Sequence, residues 1–161
     1  MVSDDIIKQL LPRVAFSVAL DYEMEPSNEY RVIKYNVVLV NTDGVYNANT
    51  GVFTAPSNGT YLFGFHAVSY HGFNVLMHII KNGQRVLSAF GSSGCGCCSS
   101  ADDVRELECA GAASNVGMMT LTEHDNVWVE LASLYGLHNA PYHNYATFYG
   151  HLLFAEISGV E

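Results

Sequence analysis

The hydrophobic pattern of the chain is one of alternation. Tyr61, Phe63, Phe65, Ala67 and Ser69 interleave with Leu62, Gly64, His66, Val68 and Tyr70, the period of two that sends successive side chains to opposite faces of a strand. Both sets are largely apolar, so both faces of this strand are expected to be covered. Residues 75–80 read as a further strand. Asn82-Gly83 then predicts a type I′ hairpin turn, because both residues tolerate positive φ. Residues 85–90 return antiparallel, and 117–122, 127–134 and 145–157 complete the series. Trp128, inside the 127–134 strand, is expected in the core. Short strands, Gly-rich turns and no long helical period predict an all-β sandwich. The one helical signal is Ser3-Asp4-Asp5 ahead of Ile6, Ile7, Leu10 and Leu11, a capped turn stopped by Pro12.

Composition narrows the function classes. At 161 residues the chain fits one domain, long enough to bury about 70% of its unfolded surface. Charged residues make up 14%, against about 25% in an average globular protein, so partner subunits are expected to cover part of the surface. A formal net charge of −9 excludes DNA and RNA, whose phosphates require Lys and Arg, and disfavours an anionic membrane surface. No apolar run reaches the roughly 18 residues of a membrane span. The start Met1-Val2-Ser3-Asp4-Asp5 is acidic and lacks the apolar stretch of a signal peptide.

Candidate chemistry concentrates in two loops. Residues 91–114 are rich in Gly, Ser, Ala and Cys, and hold Cys95, Cys97, Cys98 and Cys109. Four cysteines allow three pairings, which remain open. Disulfides bracing an exterior loop are the preferred reading over free thiols or a metal, because neither a second separated pair nor a βα setting accompanies Cys95-x-x-Cys98. Residues 135–144 form a turn-rich loop carrying Tyr135, His138, Asn139, Tyr142, His143 and Asn144. Aromatic faces stack on sugar rings, and Asn or His hydrogen-bonds hydroxyls. These six are the candidate ligand-binding residues, with packing at a subunit boundary as the competing reading. His66, His78 and His151 fall on strands and read as hydrogen-bonded core or interface histidines. No His-x-x-x-His helix and no Gly-x-Ser-x-Gly elbow is present, so no catalytic residues are assigned and an enzyme is not expected. Asn58-Gly59-Thr60 is a glycosylation sequon by spacing.

Tyr35, Asn41, Tyr46, Phe53, Gly59, Tyr61, Phe63 and Phe65 resemble the signature of the C1q domain, which has Phe where this chain has Tyr35. Val14-Ala15-Phe16-Ser17 is similar to the family's opening strand, and Asn82-Gly83, Asp125-Asn126-Val127-Trp128 and Phe148-x-Gly150-x-Leu152-Leu153 are similar to its later landmarks. The resemblance divides the chain into an N-terminal segment, 1–11, read as a stalk remnant or a frayed terminus, and a C1q globular domain, 12–161. It implies a ten-stranded jelly-roll β-sandwich of C1q and tumour-necrosis-factor type, assembling as a homotrimer. It further implies a secreted protein, its export signal removed, that acts as a lectin-like pattern receptor of innate immunity. The ligand would be carbohydrate, sialic acid or microbial surface glycans. The alternative is a trimeric cytokine-like or synapse-organiser-like ligand that binds a receptor protein. Some C1q-like heads bind calcium, and Asp102-Asp103 are the candidates here, although calcium requires six to eight oxygens; no cofactor is assigned. Loop 91–114 departs from the family pattern by its length and its cysteines.

Overall fold

The computed structural model describes residues 13–70, 72–93, 110–140 and 142–156. The N-terminal segment, the four cysteines and Asp102-Asp103 lie outside the described residues. Among the described residues twelve strands follow one another: β1 (Ala15–Ala19), β2 (Arg31–Val32), β3 (Val37–Asn41), β4 (Tyr46–Asn47), β5 (Val52–Thr54), β6 (Gly59–Ser69), β7 (Val75–Lys81), β8 (Gln84–Gly91), β9 (Ala112–Leu121), β10 (Asn126–Leu131), β11 (Leu137–His138) and β12 (Thr147–Ala155). β2 and β11 are two-residue pairings inside loops; the other ten are the strands of the jelly roll. They build two antiparallel sheets. Sheet A runs β11-β6-β12-β1-β3 with β9 on the other edge of β6, and sheet B runs β4-β5-β10-β7-β8 with β2 beside β10.

The alternation in β6 explains how the sheets stack. Tyr61, Phe63, Phe65 and Ala67 are buried at 1% exposure or less, facing Phe53, Ile79, Val127 and Val129 from sheet B in one core. Phe16 sits at the centre of an aromatic cluster, with ring centroids 4.9 Å from Phe148, 5.1 Å from Phe53 and 5.4 Å from Tyr46. Offset and edge-on rings of this kind add to the energy of their area burial. Asn82 and Gly83 have φ of 48° and 83°, as the predicted hairpin between β7 and β8 requires. Gly59 opens β6 rather than making a turn. It is needed because the Phe154 carbonyl, pushed in by the irregularity between Leu152 and Phe154, occupies the space of a side chain.

Three expectations change. β9 begins at Ala112, five positions before the apolar signal at Gly117, because it pairs with β6 from Val68 onwards. β10 stops at Leu131, since the chain turns at Leu134 with φ of 70°. Trp128 is not in the core: it pairs Ile80 and Val52 on the outer face of sheet B, half-buried, and its indole N–H donates to Glu130 at 3.0 Å. Alternation along β10 gives the core to Val127, Val129 and Leu131 instead.

Charge divides the two sheets. No strand of sheet A contains Asp, Glu, Lys or Arg, whereas sheet B carries Arg31, Lys81, Arg85 and Glu130. The outer face of sheet A mixes apolar residues with uncharged polar ones and His. Met118, Leu62, His151 and Ala15 form one row by register, and Val116, Gly64, Tyr149, Ser17 and Val40 form the next.

Candidate functional site

The loops after β1, β6 and β10 meet at one end of the sandwich, and the candidate residues lie there. After β10 the chain is tied down by Ala132 N–H to Leu76 O at 3.0 Å and Leu134 N–H to Ser27 O at 2.6 Å. β11 then pairs with Val68 and Ser69 at the end of β6, and Leu137 bridges Met24. Gly136 has no alternative here, because a side chain would run into Tyr70, the Met24 carbonyl and Pro26.

Asn139 fixes the next bend. It is 3% exposed; its amide N–H donates to the Leu20 carbonyl, and its oxygen accepts from Tyr145 N–H at 3.0 Å. The side chain thus staples β1 to both ends of the loop 139–145. Of the six candidate residues this one is buried, and its contacts hold the loop backbone. Within the loop His143 N–H bonds Ala140 O at 3.1 Å, and Tyr142 and Asn144 take positive φ of 71° and 51°. Tyr142 is thrown to the tip, 98% exposed. Asn144 is half-buried and shapes the turn by its backbone.

Three rings line up beside that tip. Tyr145 stacks on His143, centroids 5.3 Å apart and planes 12° apart, and on His138 at 5.9 Å and 29°. Two further contacts hold the stack: His138 Nδ1 lies 2.6 Å from Glu23 Oε1, and His66 Nδ1 lies 2.6 Å from the Tyr145 carbonyl. Tyr135 stands apart from the stack. It packs against the core and meets exposed Phe90 edge-on at 6.5 Å, one residue on from exposed Leu134. The structure therefore brings His138 and His143 together on Tyr145, leaves Tyr142 exposed next to His143 in the chain, buries Asn139 against the backbone, and sets Tyr135 against Phe90. Sequence reading missed Tyr145 and Glu23. Tyr145 was absorbed in the last strand, and Glu23 reaches His138 from 115 positions away.

An open groove of about 610 Å³ crosses β1, β3 and β12 on the outer face of sheet A, lined by Arg13, Ser17, Val40, Tyr149, His151 and Leu152. Among the described residues no cluster of His, Cys, Asp and Glu is set to hold a metal ion, and no helix is long and apolar enough to cross a membrane.

Two antiparallel sheets packed in this order make a jelly-roll β-sandwich, and comparison with known proteins identifies the family. The chain matches the C1q domain over residues 15–153 and belongs to that family. It is 30% identical over 145 residues to complement C1q tumor necrosis factor-related protein 6 of Mus musculus, a match covering 88% of this chain and 50% of the relative. The chain thus spans about half the length of that relative. Among solved structures it is similar to the globular domain of zebrafish complement 1qA protein, with TM-score 0.64, 22% identity, and 89% of this chain and 99% of that one covered. It is also similar to murine APRIL, with TM-score 0.62, 10% identity, and 88% and 99% covered.

Proposed function

We propose that the chain is the recognition head of a secreted C1q-domain protein, a homotrimer that binds carbohydrate on microbial or host surfaces as a lectin-like receptor of innate immunity. One observation carries the sugar reading: the stack of His143, Tyr145 and His138 beside the fully exposed Tyr142. Ring faces with imidazole nitrogens at their edges combine the apolar platform and the hydrogen-bonding rim that a pyranose needs. Trimeric assembly, part of the same proposal, would strengthen such binding. A single shallow sugar contact is weak, and three heads on one surface multiply it. A glycan array tests the reading with the assembled protein. Saturable binding lost in both Tyr142→Ala and His138→Ala would support it, and binding unchanged in both would remove the site.

A receptor-binding ligand is the second reading. Exposed Phe90 in edge contact with Tyr135, and exposed Leu134 next to it in the chain, favour it, because apolar patches at a loop end are where protein partners dock. The similarity to APRIL's fold agrees with it. Absence of any saturable glycan binding in the trimeric protein is the outcome that selects it.

A further inference from the structure

The connection from β5 to β6, residues 55–58, ends on Asn58, and Asn58-Gly59-Thr60 is the one Asn-x-Ser/Thr spacing in the chain. Such a spacing is read by the transferase that attaches N-linked sugars, but it also arises by chance, so the fold decides whether this side chain can carry one. Asn58 is half-buried. Its Oδ1 accepts from Glu123 N–H at 2.8 Å, which fixes the amide against the turn between β9 and β10, and its backbone carbonyl accepts from Glu156 N–H at 3.0 Å. Its Nδ2 donates to no group among the described residues. An N-linked glycan is bonded through Nδ2 and leaves Oδ1 a carbonyl oxygen. The modified side chain therefore keeps the hydrogen bond that the folded chain makes with it. Pro56, Glu123, His124 and Glu156, its neighbours in the loop and across these contacts, are exposed. The position is also remote from the ring stack. Asn58 adjoins the first residue of β6, whereas Ser69, the last, pairs with Leu137 next to His138. The 11 residues of β6 separate the two ends by roughly 35 Å.

We propose that Asn58 is an N-glycosylation site, so that the head carries a glycan of its own at the end opposite to the ring stack. Asn58 Nδ2 forms a bond to the anomeric carbon of a lipid-linked oligosaccharide and loses a proton, and the lipid pyrophosphate leaves with the electron pair of the broken bond. The proposal rests on the secreted reading above, because this transfer takes place in the secretory lumen. It does not rest on the glycan-binding reading.

The test expresses the chain behind a supplied export signal in a eukaryotic secretory host. Intact mass is measured on the cell and medium fractions before and after peptide-N-glycosidase, for the parent, Asn58→Gln and Thr60→Val. Valine keeps a β-branched side chain on the strand and leaves Asn58 with its Glu123 contact, so it removes the acceptor spacing alone. The parent is expected to carry one enzyme-removable glycan and both variants the mass of the bare chain. A bare parent in both fractions, or a glycan that persists in the variants, overturns the inference and leaves the secreted reading standing. A natural full-length protein that stays inside the cells producing it removes the secreted reading, and this inference with it. Parent and Thr60→Val should score alike on a glycan array; a difference between them would overturn the placement of the sugar away from the ring stack.

Discussion

Tyr35 stands where the C1q pattern has Phe, and the added hydroxyl has consequences in this fold. The side chain is fully buried, its oxygen has no hydrogen-bond partner among the described residues, and burial pushes the phenol well above its ordinary pKa. An unsatisfied buried hydroxyl costs about 1–3 kcal/mol. Tyr35→Phe is therefore expected to leave the protein as stable or raise its stability by roughly that amount, read as a shift of the urea midpoint at constant slope. Trp128 and Phe16 form a second pair of opposites. Core Phe→Ala and Trp→Ala changes typically cost about 3–5 kcal/mol, and Phe16→Ala, at the middle of the ring cluster, should fall there. Trp128→Ala should cost clearly less, because its ring lies half-buried on an outer face. Equal losses in the two variants would mean that Trp128 packs more deeply than its position indicates. The candidate site shows the same limit of sequence reading. Residue type put His138, Tyr142, His143 and Asn139 on one footing, but the structure buries Asn139 against the Leu20 carbonyl and the Tyr145 N–H. Which amides are free depends on who reaches them in space.

At the scale of elements, two family landmarks prove to be one device. Asn82 of the β7–β8 hairpin donates to Asp125 Oδ1 at 2.7 Å and accepts from Asn126 N–H at 2.8 Å. Asp125 also accepts from Thr122 N–H at 2.9 Å and pairs with Lys81 at 3.1 Å. The hairpin is thus locked to the turn between β9 and β10 at the end of the sandwich away from the ring stack. The Asn82 amide first, then the Thr122 N–H and the Lys81 ammonium, hold the Asp125 carboxyl well below the usual carboxylate range. A folded pKa below the unfolded value near 4 gives stability that is present above that value and lost as pH falls below it. Asp125→Asn should lower stability at neutral pH and flatten its dependence between about pH 4 and 2 relative to the parent, read from denaturant midpoints across that range. Identical slopes in the two proteins would show that the lock contributes nothing through charge. His78 acts at higher pH. It is buried, bonded to Ser88 Oγ at 2.8 Å, and its pKa is lowered by burial and then by Arg85. Stability should therefore also decline as pH drops through the mid-6 region, where the unfolded imidazole takes up a proton that the folded one resists. His78→Gln should remove that step. Strands of this kind were legible wherever alternation or an unbroken apolar run was strong, as in β6 and β7. Their ends were not: β9 extends into Ala112–Asn115 because a neighbour supplies the hydrogen bonds, not because those residues favour a strand.

The whole molecule joins the low charge of the sequence to a place. The 14% of charged residues is not spread thinly. It is absent from the strands of sheet A, where Met118 and Val116 stand 65% and 53% exposed in the single chain. A face of this size and character, uncharged across adjacent strands, is the one that the proposed homotrimer would bury. Light scattering at micromolar concentration should accordingly give about three times the chain mass of 17.6 kDa. The sharper check puts a charge on that face where it cannot harm the fold. Met118 points outward beside Leu62, and Gly64 in the next row is covered by the Tyr149 ring, so neither contributes the core contacts that hold a chain together. Met118→Glu should keep the far-UV spectrum and the cooperative melt of a folded sandwich. In the trimer, however, a carboxylate there would enter an uncharged interface that holds no cation on its strands to receive it, and burying an unpaired charge costs several kcal/mol. We expect this variant to scatter as a monomer of one chain mass and to lose avidity for multivalent surfaces while retaining whatever a single head binds. A Met118→Glu protein that still assembles would place the subunit contacts away from the β6–β9 edge of sheet A.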